Sequence, residues 1–299
     1  MRIASILALF SLATSLLVAC RTHSPGSPAD DPGGVGPTGR GVPVTVGQRG
    51  RGEGRGGVGR GRGAPPLSPD VEVRRYRFDE TGEMLEYAVF VPSKVKKDSK
   101  KIPLVIALHG RGVGPTSIMR FVTAPAERGG YIVAAPMGYN ERGWYGVYES
   151  DRSTPPELRE YSEKDVMNVL SFMRAEFDID ENRIYLMGQS MGGAGAMYLA
   201  VKHPGLWAAV AAGAPAFRRD QKGNLAAIRH MPVMLVHGDR DGSVTVDVSR
   251  RLAGSMQELG MTYDYREIRG GSHPDAISMG APWIFSFFDK HKRTPIPGR

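Results

Sequence analysis

Apolar and polar positions alternate in two distinct rhythms along this chain, and the change of rhythm marks its elements. Val71 to Phe78 alternates valine with charge and is followed, after a Thr81-Gly82 turn, by the apolar run Met84 to Val91. Period-two patterning across a short turn predicts an antiparallel hairpin. Ile102 to His109 is then continuously apolar, as strands buried on both faces are. Further runs at Tyr131 to Ala135, Arg183 to Met187, Ala208 to Gly213, Pro232 to His237 and Thr262 to Ile268 predict the remaining strands. Between them, 3.6-residue periodicity predicts helices over Ser117 to Arg128, Glu163 to Phe177, Met191 to His203, Asp247 to Leu259 and Asp275 to His291. Strand and helix alternate through most of this stretch, which predicts an α/β fold: a mostly parallel, eight-stranded, doubly wound sheet led by an antiparallel hairpin, with helices on both faces.

The first 66 residues follow neither rhythm. Residues 1–20 carry one basic residue, Arg2, then an apolar run from Ile3 to Val18 that ends in Ala19-Cys20. Its length and flanks predict a secretory signal rather than a membrane span. Residues 21–66 are rich in glycine, proline and arginine and lack aromatic residues. So little apolar side chain cannot offset the entropy of ordering, so a flexible tether is expected. Seven arginines against Asp30, Asp31 and Glu53 give the tether +4, and Arg2 adds one more, so only +3 of the formal +8 is left for residues 67–299. The high charge therefore belongs to the leader and tether, which are expected to act as a solvated spacer touching anionic surfaces, with no specific nucleic-acid partner. Cys20 is the only cysteine. Intrachain disulfides and cysteine-rich metal sites are excluded.

In an open parallel sheet, chemistry gathers where the strands end. The run Arg183 to Gly195, RIYLMGQSMGGAG, reads as a strand, a serine between glycines and the start of a helix. Gly188, Ser190 and Gly192 occupy the three fixed places of a G-x-S-x-G nucleophile elbow. Ser190 needs a base to take its proton. His273, in the Gly-Gly-Ser-His loop after the last strand, is the best placed of the seven histidines; His109 and His237 directly end buried strands, where structural hydrogen bonds are expected. Asp239, Asp241 and Asp247 lie together after the strand at Pro232, Asp239 suited to capping the loop and Asp247 to N-capping the next helix. Serine, acid and histidine thus arrive in that chain order at three successive edge loops. No metal-ligand spacing, dinucleotide fingerprint or phosphate loop stands out, so no metal or cofactor is expected.

These motifs carry a family likeness. LVIALHGRG at 104–112, DENRIYLMGQSMGGAGA at 180–196, VMLVHGDRDGSV at 233–244 and GGSHPDA at 270–276 resemble the α/β-hydrolase serine esterases of the polyhydroxyalkanoate depolymerase and feruloyl esterase group and, more distantly, prolyl-oligopeptidase-like hydrolases. The likeness covers residues 67–299. It implies an α/β-hydrolase fold, a carboxylic ester hydrolase, and a triad of Ser190, His273 and Asp241, the last through the H-G-x-x-D-x-x-V pattern that Val244 completes. It also implies an oxyanion hole made by the backbone N–H groups of Met191 and Arg111. The Leu-Val-Ala-Cys ending of the leader resembles a bacterial lipobox, which implies lipidation at Cys20 and an exported protein anchored to a membrane.

Fewer than twenty residues separate the strands at Ala208 and Pro232, too few for a large lid. An accessible site for bulky, aryl or polymer-linked esters follows. The loop Met137 to Tyr161 carries Tyr139, Trp144, Tyr145, Tyr148 and Tyr161, and Trp144, Tyr145 and His109 are its candidates for substrate contact. Two other functions use the same residues: a serine peptidase of prolyl-oligopeptidase type, and a catalytically silent surface-binding protein.

Overall fold

The computed structural model describes residues 64–96, 98–147, 155–217 and 222–293. The leader with Cys20, nearly all of the tether, Tyr148 and His23 lie outside the described residues. Eight strands form one sheet: β1 (Val71–Arg77), β2 (Met84–Phe90), β3 (Ile102–Leu108), β4 (Ile132–Pro136), β5 (Ile179–Gln189), β6 (Ala209–Gly213), β7 (Val233–Gly238) and β8 (Tyr263–Ile268). Their spatial order is β1-β2-β4-β3-β5-β6-β7-β8. The β1–β2 hairpin and the β2–β4 pairing are antiparallel, and every pairing from β4 to β8 is parallel.

Period-two alternation sorts the strand residues between two cores. On one face Leu104, Ile106, Ile184, Leu186 and Val210 pack against α2 (Pro156–Glu176), α3 (Met191–Lys202) and α5 (Asp247–Glu258), with the short α4 (Lys222–Ala227) beside them. On the other, Val105, Ala107, Tyr185, Met187 and Val236 pack against α1 (Pro115–Gly129), α6 (Asp275–Ser278) and α7 (Ala281–Lys290). Every residue of β3 is buried, as its unbroken apolar run requires. The edge strand β8 places Arg266 and Glu267 on its exposed positions, with Asp264 half-buried beside them, which discourages pairing with another chain.

Three element boundaries differ from the sequence reading. β5 begins four residues earlier than Arg183, through a register shift against β3 between Ile102 and Leu104. α2 starts at Pro156 rather than Glu163, so Tyr161 lies on a helix and not in a loop. Proline at the first helical position and Glu157 in the first turn are ordinary helix starts. The final helix is two, because Pro282 has no N–H to continue the ladder from α6. Nineteen residues, 214–232, link β6 to β7 and, among the described residues, hold only α4.

The strand order places a crevice. From β3 the chain crosses to β4 on one side, whereas β5 leads on to β6, β7 and β8 on the other. The carboxyl ends of β3 and β5 are therefore neighbours at the switch point, where open α/β sheets bind ligands.

Candidate active site

Ser190 stands between β5 and α3 with φ 56° and ψ −116°. A non-glycine residue in this region is strained, by about 1–3 kcal/mol, and persists only if its surroundings insist. They do so through the main chain. The Ser190 N–H donates to the Gly213 carbonyl at 2.8 Å, and the Ser190 carbonyl accepts from Ala194 and Ala216 N–H at 3.0 and 3.1 Å. The two flanking glycines leave no room for anything larger. A Cβ on Gly188 would lie 2.2 Å from the Gly192 carbonyl oxygen, and one on Gly192 would lie 2.2 Å from that of Leu108.

Asp241 and His273 meet at the neighbouring strand ends. His273 Nδ1 is 2.6 Å from Asp241 Oδ2, while Asp241 Oδ1 accepts from Ser243 N–H at 2.7 Å and Val244 N–H at 2.9 Å. The Asp241 side chain is fully buried. Burial alone would raise its pKa, but the donors from Val244, His273 and Ser243 outweigh it and hold the carboxyl below its ordinary range. A buried carboxylate against Nδ1 fixes the imidazole tautomer and leaves Nε2 for proton transfer. The rival acids are occupied elsewhere: Asp239 Oδ1 accepts from Gly270 N–H at 2.6 Å, and Asp247 pairs with Arg250 at 3.1 Å from within the first turn of α5, which Val246 precedes as N-cap. Gln189, a residue the sequence pattern does not mark, ties the two motifs together by donating Nε2 to the His273 carbonyl at 2.9 Å.

Ser190, His273, Gln189 and Arg111 share a cleft of about 980 Å³ with Trp144, Phe121 and Phe217 among its apolar walls. Ser243, Val244 and Val248 also line it. Met191 opens α3, so its N–H is one of the four that have no acceptor within the helix. Arg111 lies in the loop after β3 and lines the cleft.

Of the three residues expected to contact substrate, only Trp144 lines the cleft. His109 and Tyr145 are fully buried. The His109 ring nitrogens face the Gly110 and Met137 carbonyls at 2.8 and 2.7 Å, and burial lowers its pKa. It braces the loop carrying Arg111 against the loop after β4. Tyr145 receives its fixed place from Ser162 Oγ, which accepts its N–H at 2.9 Å, and from the His109 carbonyl, which accepts its hydroxyl at 3.3 Å. It reaches this depth because Gly195 of α3 has no side chain to obstruct it. Adjacent residues on one turn thus face opposite ways, a distinction that aromatic composition cannot express.

The loop bearing Trp144 depends on Asp165 of α2, which the sequence reading overlooked. Its carboxylate, wholly buried, accepts from Gly138 N–H at 2.6 Å, Tyr139 N–H at 3.2 Å and the Tyr76 hydroxyl at 2.6 Å. Burial raises its pKa to about 6 despite these donors. Among the described residues, no group of three or more His, Cys, Asp or Glu side chains is arranged to hold a metal.

Residues 79–294 match the family model described as Esterase. The chain belongs to the Esterase family. It is 29% identical, over 165 residues, to the bifunctional acetylxylan esterase/xylanase XynS20E of Neocallimastix patriciarum, a match covering 54% of this chain and 22% of that protein. Among solved structures, this family member resembles a thermostable esterase at 24% identity and a TM-score of 0.62, covering 76% of this chain and 64% of the other. The chain therefore spans less than two thirds of either protein. A ferulic acid esterase from Anaeromyces mucronatus, solved with ferulic acid, matches at 18% identity and a TM-score of 0.59 over 74% of this chain and 90% of its own. These likenesses establish the α/β-hydrolase fold.

Proposed function

We propose that this chain is an exported serine hydrolase that cleaves carboxylic esters through Ser190, His273 and Asp241. The observation that carries this reading is the Asp241–His273 contact at 2.6 Å opening on the same cleft that Ser190 lines from a strained turn. Ser190 Oγ attacks the ester carbonyl while His273 Nε2 takes its proton, and Asp241 stabilises the imidazolium that forms. The Met191 and Arg111 N–H groups receive the oxyanion. Collapse breaks the bond to the alcohol, which leaves with the proton from His273. Water then repeats the sequence on the acyl-enzyme, releasing the acid and restoring Ser190.

The cleft favours a bulky acyl group. Trp144, Phe121, Phe217 and Ile118 offer apolar wall for an aryl ring, and the short β6–β7 link leaves room for esters attached to a polymer. A lipid on Cys20 followed by the arginine-rich tether would hold the catalytic domain, residues 67–299, at a membrane facing the periplasm or the outside.

The purified full-length chain is expected to label with a fluorophosphonate and to hydrolyse p-nitrophenyl acetate, methyl ferulate and acetylated xylan to different extents, with Ser190→Ala doing neither. A folded wild type that does not label removes Ser190 as an activated nucleophile. One that labels yet cleaves only peptide amides makes the chain a peptidase. The anchoring part is checked separately, by whether Cys20→Ser shifts the protein from membrane to soluble fraction.

A further inference from the structure

A second histidine stands behind the triad acid, and the chemistry above does not use it. His237, at the end of β7, is completely buried. Its Nδ1 lies 2.7 Å from Ser249 Oγ, itself fully buried on α5, and its Nε2 lies 2.9 Å from the Val244 carbonyl and 3.1 Å from Asp241 Oδ2. A carbonyl oxygen only accepts, so Nε2 carries the ring proton. Nδ1 of the neutral ring then accepts from the Ser249 hydroxyl. Burial is the largest influence on the ring and lowers its pKa, against the opposing pull of the Val244 carbonyl and Asp241. The ring is therefore neutral at pH 7 and has one tautomer.

These contacts close a circuit. Val244 N–H donates to Asp241 Oδ1, the Val244 carbonyl accepts from His237, and His237 Nε2 faces the same Oδ2 that holds His273. We propose that His237 is a positioning residue for the triad: its Nε2–H, shared between the Val244 carbonyl and Asp241 Oδ2, clamps the 241–244 turn and tempers the basicity of the oxygen that receives His273. The contact stands on geometry alone, and its catalytic consequence rests on the ester-hydrolase reading. The ionisable groups around the circuit are Asp241 and His273, with Glu267 of β8 close enough for its charge to feel His237. Glu267 is itself held by Arg250 and by the Tyr265 hydroxyl at 2.7 Å.

An acceptor that loses a donor becomes more basic. In His237→Leu the Asp241 oxygen keeps His273 as its partner but loses the Nε2–H that ties it to the Val244 carbonyl. The loosened turn should lower kcat by about 10- to 100-fold with KM nearly unchanged. In His237→Gln, the side-chain amide nitrogen can stand where Nε2 stood and donate to both oxygens, so kcat should return most of the way to wild type.

The decisive experiment is nitrogen-15 NMR of histidine-labelled full-length protein. In the wild type, His237 should be neutral and protonated on Nε2 at pH 7 and above. Protonation on Nδ1, or on both nitrogens, overturns the proposal without any variant having to fold. An unchanged kcat in His237→Leu, or a Gln variant no better than Leu, leaves His237 a packing residue and overturns it equally. A wild type with no turnover defeats the esterase reading instead, while the NMR measurements still decide the clamp.

Discussion

On one side of the cleft, Ser190, Asp241 and His273 are held largely by main-chain groups at the ends of their own strands. On the other, Trp144 rides on a loop whose anchors are distant side chains. Asp165 reaches it from α2. Glu83, in the turn of the hairpin, accepts from the Tyr139 hydroxyl at 2.6 Å, and Phe78, Tyr139 and Tyr161 pack ring against ring at 5.1–5.6 Å between centroids. The first wall consists of short motifs, the second of a network assembled from β1, β2 and α2. Changes to the first should therefore abolish chemistry with the fold intact or forbid the turn outright, and changes to the second should act in graded fashion on stability and substrate preference.

The largest effect is expected at the proposed nucleophile: Ser190→Ala should lower kcat by at least about 10⁴-fold with its thermal unfolding unchanged, which parallel kinetics and calorimetry would check. Alanine keeps the Cβ and therefore the same backbone strain as Ser190. Next comes Gly192→Ala, whose Cβ would press on the carbonyls of Leu108 and His109 at 2.2 and 2.6 Å. Both obstacles are backbone, so the elbow must open; a stability loss of at least about 1–3 kcal/mol and no detectable turnover are expected. A soluble, active alanine variant at normal melting temperature would disprove this account of the elbow.

The second wall is probed by Asp165→Asn, whose single oxygen cannot serve three donors at once, at a cost of about 1–3 kcal/mol. Its pH dependence is the sharper signature. The native carboxyl keeps its proton up to about pH 6, whereas the unfolded one loses it near pH 4. Between those values the unfolded state has released a proton that the native state still holds, so stability contributed by this group is full below about pH 4 and is lost as pH rises through 6, about 3 kcal/mol in all. The difference in unfolding free energy between wild type and Asp165→Asn should shrink by that amount from pH 4 to pH 7. A constant difference across denaturant titrations would mean that Asp165 does not titrate there.

The smallest effect is expected at Trp144→Phe. Among the described residues, the Trp144 indole N–H is buried without a hydrogen-bond partner, so removing it sheds a desolvation cost of about 1–3 kcal/mol while losing some apolar contact. Stability should change by under about 1 kcal/mol, and discrimination between methyl ferulate and p-nitrophenyl acetate should shift by a few-fold. A large fall in kcat for both esters would give Trp144 a part in the chemistry that its place on the wall does not suggest.

The boundary between what was legible in the chain and what was not follows the same division. The eight strands, the elbow glycines and the order of Ser190, Asp241 and His273 were all readable, because each is a property of one short stretch: a period of burial, a turn that excludes side chains, a loop at a strand's end. Asp165, Gln189 and the circuit through His237 and Ser249 were not readable as partners, because their meaning lies in contacts between elements far apart in sequence. The contrast is clearest in Trp144 and Tyr145. By itself the sequence determined that an α/β sheet would form and that a serine, an acid and a histidine would gather at its edge, since periodicity and backbone sterics act locally. Only the tertiary structure decided that Trp144 faces the cleft while its neighbour sinks against Gly195, that Asp241 rather than Asp239 meets His273, and that His237 stands behind it. Those outcomes depend on which side chains the packing of distant elements brings within about 3 Å, and no short stretch of sequence encodes that distance.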